Sequence, residues 1–478
     1  MSHPHDASSE AAAQSAAEAS GRRRAFTQVL VNTFVANLTT SFLWFALTFW
    51  IYLETRNVLA TAFLGGSYML MLAVLGVPFG GLIDRWRKKR IMVGAQLVTA
   101  VAFAAALVLF LVLPKSAFID VASPAFWALS LTVLAGAVVE SARGIALSTT
   151  VTLLVPAGER DKANGRVGVV NGLSFAATSV FSGLAVGRLG MTWTLVIAVA
   201  LTFVSLVHLW FVRIPEKEIV HADGAPKPVD FAAAWASVRA VPGLLALIVF
   251  STFNNLVGGV FMALLDPYGL TLVPVEVWGL IWGLVSFGMM FGGIWVARFG
   301  LGAKPLRALL LVNVVMWGIG ILFTLRENIW LTTIGILIWI SIMPVAEAAE
   351  QTVMQRVVPY ARQGRVFGFA QAVEVAASPL SAFLVGPLAQ FWLIPYMASP
   401  EGRASWGWLL GDGQARGIAA VFVLSSVVGL AITLAALASR PYRVLSDAYA
   451  SAPAQSVTNP GWPDPGAVDR AEAAGETG

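Results

Sequence analysis

Apolar residues in this chain come in long runs, and polar residues gather in the breaks between them. The runs fall at 25–53, 58–80, 91–113, 125–150, 166–188 and 192–212, then at 244–266, 276–298, 306–325, 329–352, 366–390 and 417–438. Each has roughly the twenty residues that a helix needs to cross ~30 Å of hydrocarbon. The pattern therefore predicts an all-α membrane protein with twelve transmembrane helices. An even number of crossings puts both termini on one side. The longest interior break, 214–243, holds Pro215, Glu216, Lys217, Glu218, Pro226 and Pro228, and separates a six-run half at 25–213 from another at 244–440. Within it, Phe231 to Val241 predicts a short amphipathic helix at the membrane surface. Residues 1–24 and 441–478 lack an apolar core and are expected to be disordered tails. The break at 391–416 carries Trp392, Trp406 and Trp408, which suits an interfacial hairpin or lid.

Charge supplies orientation. Arg85, Arg87, Lys88, Lys89 and Arg90 crowd one short break, and Arg160, Lys162, Arg166, Arg213, Arg298, Lys304, Arg307, Arg356, Arg362 and Arg365 fall on the same side of the twelve-run pattern. The opposite breaks carry single cations such as Lys115, Arg188 and Arg326. Cations beside membrane helices favour the cytoplasmic face, so both termini are expected there. The chain is 58% hydrophobic and 12% charged, against roughly 45–50% and 25% for soluble domains, which excludes a soluble globular protein. Its net charge of +5 lies in loops, so it reports topology and no nucleic-acid partner is expected. With no cysteine and four histidines, no metal or other cofactor is expected. Phosphate-loop, zinc-protease and nucleophile-elbow motifs are absent, which argues against ATP drive within the chain and against an enzyme.

The two halves echo one another. Thr33-Phe34-Val35-Ala36-Asn37-Leu38 returns as Thr252-Phe253-Asn254-Asn255-Leu256, and Gly80 with Asp84-Arg85 as Gly293 with Ala297-Arg298. Val155-Pro156, Arg160 and Gly165-Arg166-Val167 return as Val358-Pro359, Arg362 and Gly364-Arg365-Val366. Three echoes in the same order indicate an internal duplication. Since each unit has six runs, the repeats run parallel, about an axis along the membrane normal.

Gly80-x-x-x-Asp84-Arg85-x-x-x-Lys89-Arg90 resembles the loop 2–3 signature of the major facilitator superfamily, with Arg87 where that signature usually has glycine. Gly80 permits close helix approach, and Asp84 can meet a helix N-terminus. Val155-Pro156 through Asn164, and Pro359 through Gly368, resemble the twelve-helix drug:proton antiporter branch, which includes macrolide-efflux and siderophore-exporting proteins. The resemblance implies a monomeric transporter working by alternating access, with Gly80, Asp84, Arg85, Lys89 and Arg90 at a cytoplasmic gate.

Ionisable groups within spans are functional candidates because their insertion is costly. Glu140 and Arg143, at i and i+3 on one helix face, are either a self-neutralising lock or a proton carrier with its tuning group. Glu347 and Glu350 form a second i, i+3 pair, able to share a proton. Glu374 stands alone among Ala, Val and Phe. For substrate contact, the first and seventh runs offer Asn32, Asn37, Thr40, Trp44, Asn254 and Asn255, although helix–helix hydrogen bonding and lipid contact are the plainer roles for such residues. The reading is a secondary transporter of the bacterial inner membrane, exporting amphipathic small molecules in exchange for protons. An importer, a lipid flippase or a non-transporting receptor or scaffold are the alternatives.

Overall fold

A computed structural model describes residues 4–55, 58–216, 230–410 and 416–452. Among them every regular element is helical. In order these are α1 (Pro4–Thr55), α2 (Val58–Arg85), α3 (Lys88–Val112), α4 (Pro124–Leu154), α5 (Arg160–Leu184), α6 (Gly190–Phe211), α7 (Phe231–Ala240) and α8 (Leu244–Leu272). Then follow α9 (Val275–Phe299), α10 (Pro305–Leu322), α11 (Ile329–Val357), α12 (Gln363–Leu388), α13 (Ile394–Ala398), α14 (Pro400–Leu410), α15 (Arg416–Ala438) and α16 (Arg440–Ser451).

The surface of α3 explains why these helices require lipid. Met92, Thr99, Phe103, Ala106 and Phe110 are buried, while Leu97, Val101, Val108, Leu111 and Val112 are exposed. A helix apolar on both faces, at about 37 Å for its 25 residues, fits a bilayer and not water. Ten stretches among the described residues are long and apolar enough to cross a membrane, one of them the 55-residue Ala157–Phe211. The breaks are set locally. Ser123 caps α4, its hydroxyl accepting from the Ala125 N–H. Asn328 caps α11 in the same way, and Gly190, at φ 75°, separates α5 from α6 where an L side chain would be strained.

Packing is unequal at the two ends of the bundle. At the end carrying most loop cations, here the basic end, one apolar core joins both halves, bringing Ile83, Ala142 and Leu209 together with Val296, Ala349 and Val366. At the far end each half keeps its own core, one around Leu43, Phe103 and Leu195, the other around Phe261, Trp317 and Phe422. Helices α2 and α12 lie closely together, as do α5 and α9, whereas α1 and α8 hardly touch.

Two segments differ from expectation. Residues 4–24 continue α1 as helix, since the Ala-rich sequence has high helical propensity even without an apolar face. In the C-terminal tail, α16 forms because Ser439 caps it, accepting from the Tyr442 N–H at 3.2 Å, and Leu445 is fully buried against the C-terminal half. The break at 391–416 folds into α13 and α14, anchored by buried Met397 and Leu410 and by Arg416, whose guanidinium donates to the Met397 carbonyl at 3.1 Å. The amphipathic helix of the interior break is α7, capped by Asp230. Its Ala234 packs with Val77 of α2 and Ala372 of α12, and the Trp235 ring lies tilted against Phe369, centroids 5.9 Å apart. Residues 217–229 of the linker and 453–478 of the tail lie outside the described residues.

Candidate functional site

The two close helix pairs are glycine seams. A β-carbon on Gly80 would sit 2.9 Å from the Arg365 Cα, and one on Gly293 would sit 2.8 Å from the Gly168 carbonyl carbon. Only residues without side chains allow backbones this near. Asp84 closes the α2/α12 seam. Its carboxylate is 2% exposed and accepts from the Gly364 N–H at 2.7 Å, the Arg365 N–H at 3.0 Å and Arg365 Nε at 3.1 Å. It therefore occupies the unsatisfied N-terminus of α12, where backbone donors and helix dipole favour an anion. The repeat has Ala297 where the first half has Asp84, so the α5/α9 seam is held from the other side. Asp161, in the first turn of α5, accepts from the Leu301 N–H at 2.8 Å. Arg87 adopts φ −58°, a conformation open to any residue, so no glycine is needed there. Lys89 donates to the Trp210 carbonyl at 2.8 Å, within its own half, and Arg90 is exposed.

The sequence reading missed much of this end. Lys88 Nζ lies 3.3 Å from Glu216 Oε1, both side chains almost fully buried, and Tyr360 donates to the same carboxylate at 3.3 Å. Burial and the neighbouring Glu216 push the Tyr360 phenol well above its usual range, which keeps it a proton donor. Glu216 thus joins Lys88 of one half to Tyr360 of the other. Arg160 donates to the Gln355 carbonyl at 2.9 Å, and the Asn164 amide donates to Gln355 Oε1 and Thr352 Oγ1. Removing one partner of a buried pair strands the other charge, so Glu216→Gln is expected to destabilise the fold by about 3 kcal/mol. Adding Lys88→Met should restore most of that, read as a double-mutant cycle in thermal unfolding.

Above the seams lies a cavity of about 510 Å³ between the halves. On the first half's wall, Arg143 donates to Asn37 Oδ1 at 3.0 Å, Thr33 Oγ1 at 3.2 Å and the carboxylate of Glu140. Glu140 itself does not line the cavity. It sits behind Arg143, 7% exposed, with the Thr99 hydroxyl 3.4 Å away. The second half's wall is acidic. Glu347, Glu350 and Glu374 all line it, with Asn254, Asn255, Gln351 and Gln371. Glu374 of α12 faces Glu350 of α11 closely enough to interact with it, so the carboxyl contact runs across helices and Glu374 is not isolated. Glu347 points into the cavity one turn from Glu350.

Three of the six substrate candidates fall elsewhere. Asn32 spends its amide on the Ser205 carbonyl of α6 at 2.7 Å, the plainer helix–helix role. Thr40 is not a cavity wall, and Trp44 packs on Tyr68, ring centroids 5.0 Å apart. Asn37, Asn254 and Asn255 do line the cavity.

Two helical bundles with apolar outer faces and a polar cavity between them, closed at one end, have the arrangement of a membrane transporter. Residues 29–382 match the Major Facilitator Superfamily, and the chain belongs to it. Over 363 residues it is 21% identical to macrolide efflux protein A of Streptococcus pyogenes, covering 73% of this chain and 85% of that one. Among solved structures, it is similar to a bacterial homologue of the iron transporter ferroportin in an outward-facing state with soaked iron. That likeness has a TM-score of 0.65 at 16% identity, covering 87% of this chain and 99% of the other. The human organic anion transporter MFSD10 is similar at a TM-score of 0.63 and 14% identity, covering 89% and 99%.

Proposed function

We propose that this chain is a proton-coupled exporter of amphipathic small molecules, working as a monomer by alternating access in a bacterial cell membrane. In this reading it crosses twelve times, in two parallel six-helix repeats with both termini cytoplasmic. The 55-residue stretch Ala157–Phe211 is far longer than one bilayer and counts as two crossings. Helix α12, which carries Glu374, counts as another. The basic end is then the cytoplasmic face, and the closed seams there give an outward-facing state.

The observation that carries the reading is a mid-bundle cavity with a carboxyl pair on one wall, shut at one end by contacts that cross between halves. Two carboxyls that meet on a buried wall are poised to share one proton, and in this reading Glu350 and Glu374 release it when the cavity opens the other way. Arg143 and Glu140 neutralise each other and set the shape of the opposite wall. The 21% identity to a macrolide efflux protein supports export of bulky amphipathic molecules. Reconstituted into liposomes under an imposed pH gradient, the protein is expected to move a macrolide against its concentration gradient, and a protonophore should abolish this. Movement unaffected by the protonophore rejects proton coupling. Accumulation on the opposite side rejects export.

A further inference from the structure

The acidic wall has a property beyond its charge. Six of its side-chain oxygens are buried without a donor from any neighbouring residue: Asn254 Oδ1, Asn313 Oδ1, Glu350 Oε1, Gln351 Oε1, Gln371 Oε1 and Glu374 Oε1, the two glutamates having only the one proton they share. All six residues line the one cavity, and they come from four helices, α8, α10, α11 and α12. Asn313 is fully buried, and its amide nitrogen is committed to the Leu309 carbonyl at 2.9 Å, so only its oxygen is left over. Buried acceptors without donors are costly and uncommon. Six sharing a cavity form an acceptor-rich surface, which a ligand carrying N–H groups can satisfy. The opposite wall differs, since the Arg143 charge is already met by Glu140, Asn37 and Thr33.

We infer that this wall is the recognition site for the cationic head of the substrate, a primary or secondary ammonium or a guanidinium that brings N–H donors as well as charge. A bare metal ion fits less well. Hard cations need oxygens converging at roughly 2.3–2.6 Å, and no metal-holding group of three or more acids or histidines occurs among the described residues. The cavity, about 510 Å³ and partly lined by Phe250, Met316, Met343 and Phe367, also has room for the apolar body of an organic cation. The inference rests on the cavity being the substrate site and narrows the substrate class to amphipathic N–H cations.

Three forms of one fluorescent probe test it on the purified full-length protein: a naphthylethyl primary ammonium, its N-acetyl amide and its trimethylammonium derivative. The ammonium should bind at least about thirtyfold more tightly than the amide, and the trimethylated form, which keeps the charge but lacks donors, should fall between them. Glu374→Gln and Gln371→Ala should each weaken ammonium binding by about tenfold or more, and should narrow the gap between ammonium and amide. An unchanged thermal-unfolding midpoint shows that the variants are folded. Equal affinity for ammonium and amide, or variants that leave the ammonium unaffected, overturns the inference. Ammonium-selective binding in a protein that moves no solute in liposomes would sink the exporter reading alone. Gradient-driven transport equally good for ammonium and amide would sink this one alone.

Discussion

Asp84→Asn is expected to open the basic end and to abolish concentrative transport. The carboxylate accepts three hydrogen bonds from residues of the other half while almost fully buried. Asparagine of the same shape offers one acceptor oxygen and turns an amide N–H toward the backbone donors of α12. Losing one side of such a buried charged contact costs about 3 kcal/mol, and about 1.4 kcal/mol is a tenfold change in an equilibrium. The balance between closed and open forms of this end should therefore shift by about a hundredfold. The chain has no native cysteine, so a single cysteine at Ser148, on the cavity wall, reports the change directly. A membrane-impermeant thiol reagent applied from the basic side should label it much faster in the Asp84→Asn background. Unchanged labelling would show that Asp84 does not hold the gate.

Glu350→Gln should separate coupling from passage. Glutamine keeps the shape and can still bond Glu374, but it cannot release a proton. Uphill accumulation under a pH gradient is expected to fall to background, while downhill movement of an uncharged amphipath continues. The same result is expected for Glu374→Gln. Glu140→Gln should act differently, because Glu140 lies behind Arg143 and outside the cavity. Freed of its partner, Arg143 would place an unbalanced cation on the wall, and transport of cations should suffer more than that of neutral probes. If Glu350→Gln retains full uphill transport, the carboxyl pair is not the coupling site.

The parts of this architecture that depend on near neighbours could be read from the sequence. Helical spans follow from uninterrupted apolar runs, and the seams from Gly80 and Gly293 in echoed motifs. Asp84 stood out because its offset from Gly80 matches the loop 2–3 signature; which helix N-terminus it meets did not. Contacts assembled from distant segments were not legible. Glu216 looked like an ordinary linker residue, since nothing local marks it as the partner of Lys88 and Tyr360. Glu347 and Glu350 stand out as a pair because they are three residues apart, but that Glu374 of another helix joins them on the same wall was not legible. Asn32 and Asn37 share a helix and a residue type, and only the position of α6 shows which one reaches the cavity. The ends of the chain misled for a different reason. Ala-, Ser- and Glu-rich sequence suits both coil and helix, and the docking of Leu445, which selects helix for α16, needs the finished C-terminal half.

One small contact has a practical bearing on handling the protein. Helix α7 covers Val77 of α2 and Ala372 of α12 at once, so under the proposed alternating access, in which those two helices part, it would stay with only one. Trp235 beside Phe369 ties it to α12, and Val77 is then stripped of its cover. Lipid tails can coat such a bare spot at little cost, but a loosely fitting surfactant shell does so less completely. Preparations in micelles should consequently be trapped in the shape described here, and nanodiscs should be the better medium for capturing its opposite.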